Sequence, residues 1–213
     1  MKRIICLFLC LLLAVPVASA ETVDEPFVLH ISSSFGDVGE ELVVTGSTVN
    51  APNCASYRII FTYDPTVLEP VKGESVDPKG MKIANCNSKW PQNGVESVPA
   101  VNCLAADANF SVGGDMTLFR VTFKVLAQAE NDRSPLAVQH YEFFDNTVGK
   151  PKPIVPETVR VGQVYTSGLL EATILLQQLA GYGETLYPLD SDRNGDSTLS
   201  IADAVLCLRE LAA

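Results

Sequence analysis

The stretch Tyr57-Arg58-Ile59-Ile60-Phe61-Thr62-Tyr63-Asp64-Pro65-Thr66-Val67-Leu68-Glu69 decides the fold. Tyr57, Ile59, Phe61 and Tyr63 recur at every second residue, with Arg58, Ile60 and Thr62 between them. Period two in β-branched and aromatic residues marks a strand with one face buried. Asp64-Pro65 ends it, because proline fixes its own φ and has no N–H for a ladder. The same pattern returns in Phe119, Val121, Phe123 and Val125, alternating with Arg120, Thr122 and Lys124. Phe35-Gly36-Asp37, Asn50-Ala51-Pro52, Val112-Gly113-Gly114-Asp115 and Asp145-Asn146 punctuate the rest. Many short strands without a long helical pattern predict an antiparallel sandwich over residues 27–164. That block is long enough to bury a core of its own.

The pattern changes after it. Residues 168–180 are Leu-rich, lack β-branched alternation and stop at Gly181, a helix C-terminal signal. Leu169, Ala172, Leu176 and Leu179 form one stripe, and Leu170, Ile174 and Leu175 extend apolar surface beyond it. A surface helix ordinarily keeps a polar back. This one is therefore expected to touch more than one neighbour, either the last helix and the sandwich or a protein partner.

Next comes Asp192-Arg193-Asn194-Gly195-Asp196-Ser197-Thr198-Leu199-Ser200-Ile201-Ala202-Asp203. Oxygen side chains fall at loop positions 1, 3, 5, 9 and 12, the spacing that wraps oxygens around a hard cation such as Ca²⁺. Asp192, Asn194, Asp196, Ser200 and Asp203 are the expected side-chain ligands, with Thr198 adding its carbonyl and Asp190 an additional candidate. Leu199 is expected to point inward and tie the loop down. Position 6 is Ser197 where such loops carry Gly, and a left-handed residue with a Cβ costs on the order of 1 kcal/mol. One weak Ca²⁺ site is expected; the alternative is an Asp/Asn/Ser-rich turn capping a helix. Ile201, Ala204, Val205, Leu208 and Leu211 would give that last helix its core stripe.

At the other end Lys2 and Arg3 precede an apolar run from Ile4 to Val15, then Pro16 and Ala18-Ser19-Ala20. This is the order of a cleavable secretory leader over residues 1–20, and the run is too short to span a bilayer comfortably. The mature chain is expected to be secreted, extracellular and not inserted in a membrane. Losing Lys2 and Arg3 and no acid takes the net charge from −10 to −12. Such a chain lacks the Lys and Arg that displace phosphate counterions, which argues against nucleic acid as a partner. Cys54, Cys86, Cys103 and Cys207 stay in the mature chain. Secretion permits disulfides, and four cysteines allow three pairings. Cys86–Cys103 is favoured among them, with free buried thiols as the alternative.

Two resemblances rest on these residues. Asp192 to Asp196 and Asp203-Ala204-Val205-Leu206-Cys207-Leu208-Arg209-Glu210-Leu211 resemble one repeat of a bacterial dockerin, and Glu171 to Gly181 resembles the helix of the repeat before it. A first dockerin loop would place its positions 1, 3 and 5 on Arg160, Gly162 and Val164, none of which ligates through its side chain. The tail, residues 165–213, thus looks like a dockerin with one calcium loop lost. Residues 57–69, Leu118 to Val125 and Val159 to Gly162 resemble a cohesin, the receptor of dockerins. The resemblance implies a mainly β chain: an antiparallel jelly-roll β-sandwich over residues 21–164 with a small C-terminal α-helical calcium-loop module.

It further implies that one sheet face meets a partner. The polar pair that type I cohesins offer falls on Ser56 and Arg58, and the neighbouring strand would add an apolar part through Val101 and Cys103. On the tail, Leu170, Ile174, Gln177 and Arg209 are the expected contacts. Each is otherwise an ordinary strand or helix surface residue. Arg58 stands where a carboxylate is usual, so the partner should differ from a type I dockerin. The reading is a non-catalytic adaptor of a polysaccharide-degrading complex, with dockerin- or cohesin-bearing partners and polysaccharide met only through them. The alternatives are a fused unit whose tail only stabilises the sandwich, and a carbohydrate-binding sandwich, against which a sole Trp, Trp90, speaks.

Overall fold

The computed structural model describes residues 26–76, 83–92, 95–107, 112–182 and 191–212. The leader expected over residues 1–20 lies outside them, as do Asp190 and the side chain of Trp90. In chain order the strands are β1 (Val28–Ile31), β2 (Ser34–Phe35), β3 (Glu41–Cys54), β4 (Ser56–Thr62), β5 (Leu68–Ser75), β6 (Ile83–Gln92) and β7 (Val95–Ala106). They continue as β8 (Val112–Val125), β9 (Arg133–Pro135), β10 (Ala137–Phe144), β11 (Pro153–Ile154), β12 (Thr158–Val161) and β13 (Gln163–Tyr165). Two helices follow, α1 (Gly168–Leu179) and α2 (Ile201–Leu211).

The strands build a front sheet in the order β12-β1-β3-β8-β5 and a back sheet in the order β11-β10-β4-β7-β6. A small third sheet, β2-β13-β9, sits beneath the helices. Pairing is antiparallel except where β12 joins β1 and β13 joins β2. Those two parallel pairs bring the first and last strands side by side. The expected sandwich is what the chain forms, with the inward sets read from the alternation: Tyr57, Ile59 and Phe61 on β4, and Val121, Phe123 and Val125 on β8, are all buried.

One local irregularity decides how the core fills. Between Gly46 and Ser47 of β3 the ladder slips against β8, so Leu118 is an extra residue opposite no partner. Leu118 and Phe119 therefore both turn inward, and both are fully buried. Phe119 lies across Gly46, where an added Cβ would come within 2.2 Å of its ring. Across the core it stacks on Phe61, with centroids 5.8 Å apart.

The tail packs on the end of the sandwich. Ile174 and Leu175 of α1 and Ala204 of α2 close over Tyr165 of β13, with Phe35, Leu170 and Leu199 at the margin. Leu199 thus points inward as expected. Phe35 stacks on Tyr165 at 4.5 Å. Fully burying side chains such as Ile174 and Leu175 contributes roughly 1.5–3 kcal/mol each. The Gly168 N–H donates to Asp37 Oδ1 at 3.1 Å, and the Ala129 N–H donates to Thr166 Oγ1 at 3.0 Å. The boundary expected after residue 164 falls inside β13, since Tyr165 ends that strand and anchors the helices.

The positions where a first calcium loop would fall, Arg160, Gly162 and Val164, belong to the sandwich. Arg160 lies in β12, Val164 is fully buried in β13, and Gly162 joins the two. A Cβ on Gly162 would meet the Ser33 nitrogen at 2.3 Å. These positions are committed to closing the sandwich. The expected core stripe of α2 is corrected as well: Ala204 and Cys207 are buried with Asp203, while Ile201, Val205, Leu208 and Leu211 are exposed.

Candidate functional site: the outer sheet face and the C-terminal loop

The outer face of the back sheet follows from register. Inward-facing Tyr57, Ile59 and Phe61 lie opposite Ala105, Cys103 and Val101 on β7. Outward, Arg58 lies between Leu104 of β7 and Glu142 of β10, and Ile60 between Asn102 and His140. Ser56 and Arg58 are therefore on the outer face, as expected. Val101 and Cys103 are not: both are fully buried, and Cys103 is bonded to Cys86. The residues of β7 on the outer side are Asn102 and Leu104, because a shift of one residue moves a side chain to the other face; Asn102 is only 4% exposed and Leu104 is half-buried.

Arg58 Nε donates to Asn102 Oδ1 at 3.3 Å. Among the described residues no carboxylate forms an ion pair with Arg58, although Glu142 is its opposite number. Glu142 lies nearer to His140, with Oε2 and Nε2 3.5 Å apart. The guanidinium thus keeps donors free on a half-polar face. Cys86 and Cys103 are direct neighbours across β6 and β7, so the favoured disulfide joins adjacent strands of this sheet. Cys54 and Cys207 are free and buried.

The loop over residues 192–203 folds around its own amides. Asp192 Oδ1 accepts from the Gly195 and Asp196 N–H groups and Oδ2 from the Ser197 N–H at 2.7 Å. Asn194 Oδ1 accepts from the Asp196 N–H, and Asp196 Oδ1 from the Thr198 N–H. Ser197 has φ +64°, the left-handed conformation expected at position 6. Ser200 caps α2 by accepting from the Ala202 N–H.

Asp203 is fully buried and ties both ends of the loop. Its Oδ1 accepts from the Arg193 and Asn194 N–H groups, and its Oδ2 from the Ser200 N–H and hydroxyl. Burial pushes this carboxyl up, but the hydrogen bonds from Ser200, Asn194 and Arg193 outweigh it and hold it below the usual carboxylate range. A carboxylate has about four lone-pair sites, and these bonds use them. Among the described residues no three His, Cys, Asp or Glu side chains are gathered to hold a metal ion. The donor set suits Ca²⁺ in chemistry, and binding requires Asp203 to exchange the Ser200 donors for the ion.

Of the four tail residues expected to meet a partner, Ile174 is buried and Leu170 packs against the same cluster. Both are used by the chain itself, which corrects their assignment. Gln177 is half-buried and Arg209 exposed. One functional pairing had no signal in the sequence. Arg193 grips Glu171 of α1 with Nε and Nη2 while Nη1 reaches Glu210 of α2 at 3.1 Å. The loop, α1 and α2 are thereby joined through one side chain.

A family model for the cohesin domain matches residues 27–160. No curated protein matches the sequence. Solved structures share the fold at low sequence identity. The sixth cohesin of scaffoldin B from Acetivibrio cellulolyticus, solved with a dockerin, is 20% identical over 66% of this chain and 99% of its own, with a TM-score of 0.54. A type I cohesin–dockerin complex from Clostridium thermocellum gives 19% identity over 68% and 96%, with a TM-score of 0.53. A non-cellulosomal cohesin from the archaeon Archaeoglobus fulgidus gives 20% identity over 66% and 91%, with a TM-score of 0.50.

Proposed function

The chain belongs to the cohesin-domain family, and from that premise we propose that it is a secreted, non-catalytic receptor in an extracellular polysaccharide-degrading complex, whose back sheet binds a dockerin-bearing protein. The observation that carries this reading is the outer face of β4 and β7. It presents Ser56 and Arg58 where the resemblance puts the polar contacts, with half-buried Leu104 beside them and Asn102, 4% exposed, bonded to the Arg58 guanidinium. The free donors of Arg58 favour a partner that brings a carboxylate, since a guanidinium binds one in two-pronged fashion. Secretion is supported by the leader-like order of residues 1–20 and by a cysteine pair that needs an oxidising compartment.

For the tail, the reading we favour is the fused unit rather than a free docking arm. Tyr165, Ile174, Leu175 and Ala204 are buried together, and Leu170 is at their edge. A helix pair that has spent this surface on its own sandwich is a brace first. One Ca²⁺ at residues 192–203 would hold that brace by stabilising the folded loop through mass action.

The test is binding of the mature chain to a panel of dockerin modules, with insoluble polysaccharide as a separate arm. Saturable binding to a dockerin, lost in Arg58→Glu and kept in Arg209→Ala, is expected. Binding to polysaccharide alone, unaffected by Arg58→Glu, overturns the receptor reading in favour of a carbohydrate-binding sandwich.

A further inference from the structure

The tail buries one side of each helix and leaves an apolar stripe on the other. On α1, Leu169, Leu176 and Leu179 are 61%, 45% and 40% exposed. On α2, Ile201, Val205 and Leu208 are 66%, 40% and 41% exposed. Spacings of seven, three and four residues keep each set on one side of its helix. Six such side chains on two short helices leave an apolar area on the order of 500 Å², at the upper end of what a monomer keeps in water.

We infer that these stripes form an interface between two copies of this chain, tail against tail. Two points select a second tail. The outer faces of the two sheets interleave apolar with polar residues, Ile60 and Leu104 with Arg58, Thr62, His140 and Glu142 on the back and Val43 with Glu41 and Thr45 on the front, and those polar groups cannot replace water around Leu or Val without losing hydrogen bonds. An identical stripe can, because apolar surface gains from burial against any apolar surface of matching shape. The area also suffices: two stripes together remove on the order of 1,000 Å² of apolar surface, near the lower limit for a specific contact before any polar rim is added. The contact is self-complementary, so it closes as a symmetric dimer and does not grow into a filament. The carboxylates of half-buried Asp192 and exposed Asp196 lie in the loop before α2, off the stripes, where like charges need not meet. The dimer would display two sandwiches facing outward, and so two receptor faces per particle. This inference does not depend on what the back sheet binds.

Sedimentation equilibrium of the full mature chain, from micromolar to millimolar, tests it. A reversible monomer–dimer equilibrium is expected, with Leu176→Asp and Leu208→Asp each weakening it at least tenfold. Both sites are exposed, and an unchanged circular dichroism spectrum confirms that the helices persist; Leu176→Gln serves if the charge perturbs them. A monomer at every concentration overturns the inference, as does a dimer indifferent to both substitutions. Binding of the monomeric chain to an isolated cohesin sandwich, abolished by the same substitutions, would assign the stripes to another protein and overturn it too. Arg58→Glu separates the two ideas, because it should abolish dockerin binding and leave the dimer intact.

Discussion

Glu171 and Arg193 form a two-pronged ion pair between the first helix of the tail and the loop that precedes the second, with the Glu171 side chain 2% exposed and that of Arg193 36% exposed. A carboxylate so buried needs its partner, since removing one member of such a pair leaves a charge without compensation. Arg193→Met should therefore destabilise the tail by about 3 kcal/mol, the lower end of the range for a broken buried pair because Arg193 remains partly in water. Converting both residues, Glu171→Met with Arg193→Met, should recover most of that loss. Cys207 reports the outcome. Its thiol is pushed up to about 11, by burial first and then by the Glu171 carboxylate. It should resist alkylation at neutral pH in the parent chain and react in Arg193→Met; equal protection in both would show that the pair is not what holds the tail shut.

Ser197 offers a cleaner test of the loop. At φ +64° its Cβ opposes the backbone, and glycine removes the conflict. Ser197→Gly should stabilise the folded loop by about 1 kcal/mol, which becomes a gain of up to about fivefold in Ca²⁺ affinity where the ion-free loop is unfolded. Calorimetry should show one ion per chain, bound weakly. Absence of both heat and any change in hydrogen exchange at Asp203 would leave a capping box and a set of Asx turns, without an ion.

Where the sequence alternates, the fold was legible. Tyr57 to Tyr63 and Phe119 to Val125 each carry one polar and one apolar face, so their register could be read before any pairing was known. Ala100-Val101-Asn102-Cys103-Leu104-Ala105-Ala106 has almost no polar residue to mark an outside. Only pairing with β4 shows that Asn102 and Leu104 face outward and Val101 and Cys103 inward. The same uniformity misled on α1: with apolar residues on every side, Ile174 and Leu176 looked alike, yet the first is buried and the second exposed. The pair Glu171–Arg193 had no local signal, because an acid in a helix's first turn reads as a complement to the helix dipole. The loop was legible down to the left-handed Ser197, since its oxygens recur at fixed spacing.

Stability should depend on pH through His30. It sits on β1 between Ser47 of β3 and Arg160 of β12 and is 3% exposed. Burial, and then the Arg160 charge, lower its pKa from 6.5 to about 4. The unfolded chain then binds more protons than the folded one between those values. Stability is complete above the unfolded pKa and falls as pH drops from 6.5 towards 4, by about 3 kcal/mol in all. His30→Gln should flatten this dependence in denaturant titrations across the window. An unchanged slope would mean that another group carries it.

The Cys86–Cys103 bond should matter most to the face proposed to bind a partner. It closes a separation of 17 residues between adjacent strands of the back sheet. Cross-linking a loop of this length restricts the unfolded chain by about 3 kcal/mol. The same strand is braced from the front sheet, where Gly73 lets β5 approach so closely that an added Cβ would lie 2.6 Å from the Cys86 carbonyl oxygen. Cys86→Ala with Cys103→Ala should lower stability by about that amount and raise hydrogen exchange in β6 and the outer half of β7. Exchange in the front-sheet pair β3 and β8 should change mainly with global stability, because neither strand is hydrogen-bonded to β6 or β7. Dockerin binding should weaken in the double variant even where the chain is fully folded, since Asn102 and Leu104 flank Cys103 and lose their fixed position with it. Unchanged exchange in β6 would show that Gly73 and the ladder alone hold the edge. Unchanged binding alongside faster exchange would move the partner's footprint off β7 and towards β4 and β10.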